Sequence, residues 1–276
     1  MLSYFVKYSR AVLVSLGVFS VSVCGAAQAS SDEETPPAGL SVSARYAASV
    51  LVFPVGRVDL NARIENSQYT ADTFVEAAGL AALFTDFDIS AEVEGRVRPR
   101  GVHPTRYAHR ERTGHKVRNV EVTFPGRVAT SAVTPPFGSW GVPPASDDDR
   151  RHAMDPMSAV FILSDVLATG ETGCEGELPV FDGKQRYDLR LVDRGMDQVR
   201  TRAWRGEARV CEVYYSPVSG YDPEDLPSEE EIRHPLTIWL APFADHNVHV
   251  PVRAHTRAGF GGVTIEAVSL DVGALE

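Results

Sequence analysis

From Leu40 onward, apolar and polar residues alternate with a period of two along most of the chain. Val58, Leu60, Ala62 and Ile64 are interleaved with Arg57, Asp59, Asn61, Arg63 and Glu65; Phe87, Ile89, Ala91 and Val93 with Asp88, Ser90, Glu92 and Glu94. Successive side chains on a strand point to opposite faces, so each run predicts a strand with one buried face. The same reading gives strands over 40–53, 69–76, 105–112, 116–124 and 127–133, with a turn at 54–56 and one or two helical turns over 77–84. Strands about ten residues apart, joined by turns and without a βαβ rhythm, predict an antiparallel meander.

The alternation breaks at Pro135, Pro136, Gly138, Gly141, Pro143 and Pro144, a stretch that ends in three aspartates and reads as a surface loop. Asp155 then offers an N-cap with Pro156 at the first helical position, where its missing N–H costs nothing. Val160, Phe161, Leu163, Val166 and Leu167 are spaced for a broad apolar face, so a helix is expected over 157–168 with Gly170 as its stop. Val180 and Phe181 lead into Asp182-Gly183, a strong hairpin signal, and Tyr187, Leu189 and Leu191 alternate after it. A charged connector, strands over 209–215, 236–241, 248–255 and 262–270, and an acidic segment over 222–231 complete the chain. The expected fold is mainly β: a curved antiparallel meander, open or spiral and barrel-like. One amphipathic helix packs on or in its concave face. A pocket left beside that helix would be lined by Phe161, Leu163, Tyr187 and Trp239.

The N-terminus changes the compartment. Lys7 and Arg10, an apolar run over 11–23 and Ala27-Gln28-Ala29 have the form of a cleaved export signal, residues 1–29. The apolar run falls short of the roughly 20 residues that span a bilayer, and Val23 does not suit lipidation of Cys24. Residues 30–39 read as a polar, proline-bearing leader, and 40–276 as one β-rich domain with no transmembrane segment. The chain carries a formal net charge of −10 and no Lys/Arg cluster, which argues against nucleic acid and against docking on anionic lipid. Once Cys24 leaves with the signal, Cys174 and Cys211 remain, and an oxidising compartment favours a disulfide over two free thiols.

Reactive constellations are sparse. Asp245, His246 and His249 cluster in sequence, but on a strand the two histidines would face opposite ways, and Pro251 separates them from His255. No metal site is expected. The chain has no Gly-x-Ser-x-Gly elbow and no phosphate-cradling glycine loop, so no cofactor is expected either. Asp182 and Asp188 could be paired for glycoside hydrolysis, although a turn and a solvated strand face already account for them.

Asp155-Pro156 before the helix, a Cys after it, Val180-Phe181-Asp182-Gly183, Arg186-Tyr187-Asp188-Leu189, Cys211, Tyr215 and Pro217-Val218-Ser219-Gly220-Tyr221 together resemble the exported bacterial proteins of domain of unknown function 3108. The resemblance spans about 45–270 and implies a periplasmic, Gram-negative setting without an assigned activity. By fold alone the chain is also similar to curved, unclosed β-barrels that include periplasmic lipoprotein carriers. The resulting expectation is a non-catalytic envelope protein that binds an amphiphile or an envelope partner in its curved sheet. An envelope enzyme and a purely structural partner-binding module are the alternatives.

Overall fold

The period-two pattern folds into thirteen strands and two short α-helices. The computed structural model describes residues 39–79, 82, 86–98, 101–164, 174–258 and 261–275, all inside the compact unit Pro36–Glu276. The expected signal and nearly all of the leader lie outside the described residues. The strands are β1 (Gly39–Val50), β2 (Phe53–Glu65), β3 (Gln68–Ala77), β4 (Phe87–Arg98), β5 (Gly101–Thr113), β6 (Lys116–Thr123) and β7 (Thr130–Thr134). After helix α1 (Pro156–Leu163) come β8 (Gly176–Phe181), β9 (Arg186–Arg200) and β10 (Arg205–Ser219). Helix α2 (Glu229–Arg233) precedes β11 (Leu236–Phe243), β12 (Val248–Ala258) and β13 (Gly261–Ala274).

All thirteen strands belong to one antiparallel sheet in the order β7-β6-β5-β4-β3-β2-β1-β13-β12-β11-β10-β9-β8. The first and last strands meet in its middle, and β7 and β8 are left as the two edges, so the ladder does not close. A sheet this wide curls, and α1 lies inside the curl. Phe161 packs among Tyr69, Val93, Tyr107 and Val122 from the first half of the chain. Leu163 packs among Leu178, Leu191, Val213 and Leu240 from the second. Apolar residues go round α1 on several sides, as its position between two walls requires.

The structure differs from the sequence reading in three places. The charged stretch after Leu191 is a continuation of β9, not a connector. Arg194 pairs with Glu212 at 2.6 Å and Arg209 with Asp193 at 2.7 Å across the β9–β10 ladder, so cross-strand ion pairs replace apolar alternation there. Strand β3 runs through Ala77, and half of the helical turn expected over 77–84 lies outside the described residues. Helix α1 ends at Leu163 with Ser164 as its cap, and the expected continuation to 168 and the Gly170 stop fall within the undescribed 165–173.

One stretch ties the open edges. Ala129 N–H donates to the Arg150 carbonyl and His152 N–H to that of Arg127; Met154 N–H donates to the Pro179 carbonyl, and the Met154 carbonyl accepts from Phe181 N–H. Residues 150–154 therefore bridge the approach to β7 and the edge of β8. The loop over 135–149 is fastened to the end of β10 and the start of β9, and the β8–β9 turn is tied to the same place. Gly220 N–H donates to Pro143, Val142 N–H donates to the Tyr221 carbonyl, and Lys184 Nζ reaches Asp222 at 2.8 Å. Arg186 Nε donates to the Asp149 carbonyl at 2.8 Å and Ser219 Oγ to its carboxylate at 3.1 Å. The Cys174–Cys211 disulfide, with a Cα–Cα distance of 5.7 Å, binds the start of β8 to β10. A cross-link between residues 37 apart stabilises by about 3–4 kcal/mol on the chain-entropy model.

Gly220 is the tightest point of this clasp: φ is +85° and a Cβ would collide with the Lys184 carbonyl oxygen. Gly220→Ala is expected to cost about 2–4 kcal/mol. Gly114→Ala has a comparable φ of +59° but open space around it, and should cost only about 1 kcal/mol. Urea denaturation of both variants measures the difference; equal losses would contradict the clasp.

Candidate functional site

Helix α1 is held inside the curl by a line of buried polar groups. Asp155, in extended conformation before the helix, accepts the Ser158 N–H at 2.8 Å through Oδ1 and the Ser158 hydroxyl at 2.5 Å through Oδ2. With its proton committed to the carboxylate, Ser158 Oγ accepts from the Tyr69 hydroxyl of β3 at 2.6 Å. All three residues are fully buried. The Tyr69 ring also lies 4.4 Å from that of Phe161. At the other end the Ser164 carbonyl accepts from His249 N–H of β12 at 2.9 Å. Burial pushes the Asp155 carboxyl up to about 6, against the hydrogen bonds from Ser158 that favour its charge.

An eight-residue helix does not fill the whole curl. Between α1 and the strands β1, β2 and β12 lies a cavity of about 180 Å³ lined by Leu40, Val42, Leu60, Ile64, Phe161 and Val250. Between α1, β9–β11 and α2 lies a second one of about 430 Å³, lined by Leu163, Leu189, Val213, Tyr215, Ile232 and Ile238. Val160 borders both and is 39% exposed. Polar groups are few: Thr73 and Ser164 in the first cavity; Glu231, His234 and Thr256 in the second. The Glu231 carboxylate is already engaged as the capping partner of Ser228, at 2.9 Å from its N–H.

Of the four residues expected to line a pocket, Phe161 and Leu163 do so, one in each cavity. Tyr187 and Trp239 line neither. Tyr187 sits behind the wall, its ring 4.8 Å from that of Tyr215, and burial raises its hydroxyl well above the usual range. Trp239 packs with Ala241, Val252 and Ala267, donates its indole N–H to Asp197 at 3.1 Å and carries the Arg253 guanidinium over its ring. Both are large apolar residues on alternating strands, and alternation alone does not say which cluster a face joins. The residues missed are Val160, Val250, Val213 and Ile232, aliphatics without a distinguishing local signal.

The other singled-out residues hold the frame. Asp182 Oδ1 accepts the backbone N–H of Lys184 and of Gln185 in the turn, and Gly183 stands where a Cβ would strike Val120. Burial raises the Asp182 carboxyl while those N–H bonds oppose it. Asp188 pairs with Arg186 at 2.7 Å, so the two carboxylates have separate occupations. Tyr221 is buried and its hydroxyl meets that of Tyr215. His109, near Asp182, is lowered by burial, with the Asp182 charge opposing. Among the described residues no group of three or more His, Cys, Asp or Glu is arranged to hold a metal ion, and no helix is long and apolar enough to cross a membrane.

Comparison with known proteins fits this frame. The family model for a protein of unknown function, DUF3108, matches residues 43–268, and the chain belongs to that family. No curated protein matches it. Among solved structures it is similar to the crystal structure of a beta-barrel-like protein of domain of unknown function DUF1849 from Brucella abortus. That likeness has a TM-score of 0.52 at 9% identity, covering 86% of this chain and 98% of the other. At that identity the likeness is one of fold.

The raised Asp155 carboxyl has a sign that can be measured. Between the unfolded value of about 3.9 and the folded value near 6 the native state binds the extra proton, so stability falls as pH rises through that window. Asp155→Asn removes the slope. Relative to the variant, the wild type is expected to lose on the order of 2–3 kcal/mol between pH 4 and pH 7. Urea denaturation across that range tests this; parallel pH profiles would contradict it.

Proposed function

We propose that this member of the DUF3108 family is a non-catalytic envelope protein of the Gram-negative periplasm that shelters the apolar chain of an amphiphile beside α1. The observation that carries the reading is the 430 Å³ apolar cavity against Leu163, Val213 and Ile238. It falls within the roughly 300–1,000 Å³ of small-molecule sites. The pocket is partly open to solvent and lined mainly by aliphatic side chains, so an apolar occupant would remove that surface from water. Export is supported by the form of residues 1–29 and by a disulfide, which persists in oxidising compartments.

A second reading, an envelope protein partner, draws on the parting of β12 and β13. Their ladder ends at Arg253 and Glu266, and β13 beyond that point pairs with β1 alone among the described strands. A strand edge of that kind can accept an added strand. The enzyme alternative would have to work through Glu231 and His234 at the rim of the second cavity. The Asp155–Ser158–Tyr69 line is sealed from solvent.

Val160 separates these readings, since it faces both cavities and is exposed enough to be changed without unpacking the core. Val160→Asp is expected to weaken uptake of the neutral apolar dye N-phenyl-1-naphthylamine at least about tenfold, because a carboxylate resists transfer to an apolar site. The melting temperature should change little. Unchanged dye fluorescence in a folded variant would rule out the cavities as the binding site.

A further inference from the structure

The hairpin that joins β9 to β10 carries a feature that the amphiphile reading does not use. Its tip, Arg200-Thr201-Arg202-Ala203-Trp204-Arg205, borders an open basin of about 720 Å³ whose remaining wall is Glu266. Contrary to the expectation of no Lys/Arg cluster, three guanidiniums fall within six residues here, in a chain with a formal net charge of −10. Elsewhere on the sheet, Arg45, Arg57, Arg112 and Arg209 sit in cross-strand ion pairs, while exposed Arg63, Arg96 and Arg98 are unpaired among the described residues but lie outside this basin. Arg200, Arg202 and Arg205 are exposed. No carboxylate is paired with any of them among the described residues. The one acid in the basin, Glu266, is engaged by Arg253 at 3.3 Å.

The tip is built to hold its shape. Thr201 N–H donates to the Trp204 carbonyl at 2.8 Å, and Ala203 N–H donates to the Ala267 carbonyl of β13 at 3.3 Å. Thr201 Oγ1 accepts the N–H of Ala203 and of Trp204 at 3.2 and 3.0 Å, which leaves its own hydroxyl proton free to be given away. The Trp204 ring packs 5.4 Å from Phe243, and its indole Nε1 is buried without a hydrogen-bond partner among the described residues. The arginines therefore extend from a backbone anchored in the sheet, which holds their three Cα positions close together before any ligand arrives.

We propose that this basin binds a phosphate group. Guanidinium forks match phosphate oxygens in pairs and keep their charge at any physiological pH. A dianion with oxygens on several sides can engage three arginines that a single carboxylate could not. The basin is open, so a phosphate carried on a larger molecule enters as readily as free phosphate, and both sources share this chemistry.

The test is calorimetric titration of the full chain with inorganic phosphate at low ionic strength. Saturable binding is expected in the wild type. The R200Q/R202Q/R205Q variant, altered only at exposed positions of the hairpin tip, should bind at least about tenfold more weakly, and R202Q alone about two- to fivefold, as exposed charge pairs allow. R63Q/R96Q/R98Q changes the net charge equally at three other exposed arginines and should keep wild-type affinity. Titration with a short-chain phosphatidic acid below its micelle concentration identifies the source. An affinity about tenfold above inorganic phosphate assigns a lipid headgroup, and equal affinity assigns a free phosphate. No saturable binding by the wild type, or an equal loss in both triple variants, would overturn the proposal. Neither result bears on dye uptake beside α1.

Discussion

The line Tyr69–Ser158–Asp155 decides where everything else can go. It joins β3 to the first turn of α1 through two hydrogen bonds with no access to water, and breaking either would leave a buried hydroxyl or carboxylate unsatisfied. That penalty, about 1–3 kcal/mol per neutral group and more for a charge, keeps a short apolar helix inside the curl. An isolated helix of eight residues would not form in water. Here the cap supplied by Asp155, the packing of Phe161 and Leu163 into two different clusters and the Ser164 carbonyl on β12 replace the cooperativity that length would give.

With α1 fixed, the width of the sheet becomes the second constraint. Among the described residues, thirteen strands curl round more space than α1 fills, and the difference appears as the cavities on either side of Val160. The open edges are managed separately. Residues 150–154 pair with the chain on both sides of the gap, and Gly220, Lys184, Arg186 and Asp149 lock the neighbouring loop. The residues that carry the family likeness, from Asp155 to Tyr221, are concentrated at this closure. In structural terms much of the motif describes how an unclosed sheet is shut, although Pro156, Leu189 and Tyr215 also line the second cavity.

That division explains what could be read from the chain. Period-two alternation placed most of β1 to β6 and β11 to β13 close to their observed bounds, because one face of each strand is buried and register is then strongly specified. It missed the long arms of β9 and β10, where Asp193–Arg209 and Arg194–Glu212 pairs stand in for apolar contacts. The disulfide was legible by counting cysteines. The Ser158 partnership with Tyr69 was not, since the two lie 89 residues apart and neither is unusual in its own stretch. Phe161 and Leu163 border the cavities because a helix in a curl must face inward. Tyr187 and Trp239 were misplaced because they join the core in layers that the strand pattern alone cannot distinguish.

The central claim is that the space beside α1 is a binding site for an apolar chain and not a packing defect. The most direct measurement is mass spectrometry of an organic extract of the protein purified from its native cell envelope, beside an unrelated exported protein handled identically. The account predicts an amphiphile at close to one per chain in the first extract and absent from the second. An extract indistinguishable from the control would contradict it and shift the weight to a protein partner at the parted strands.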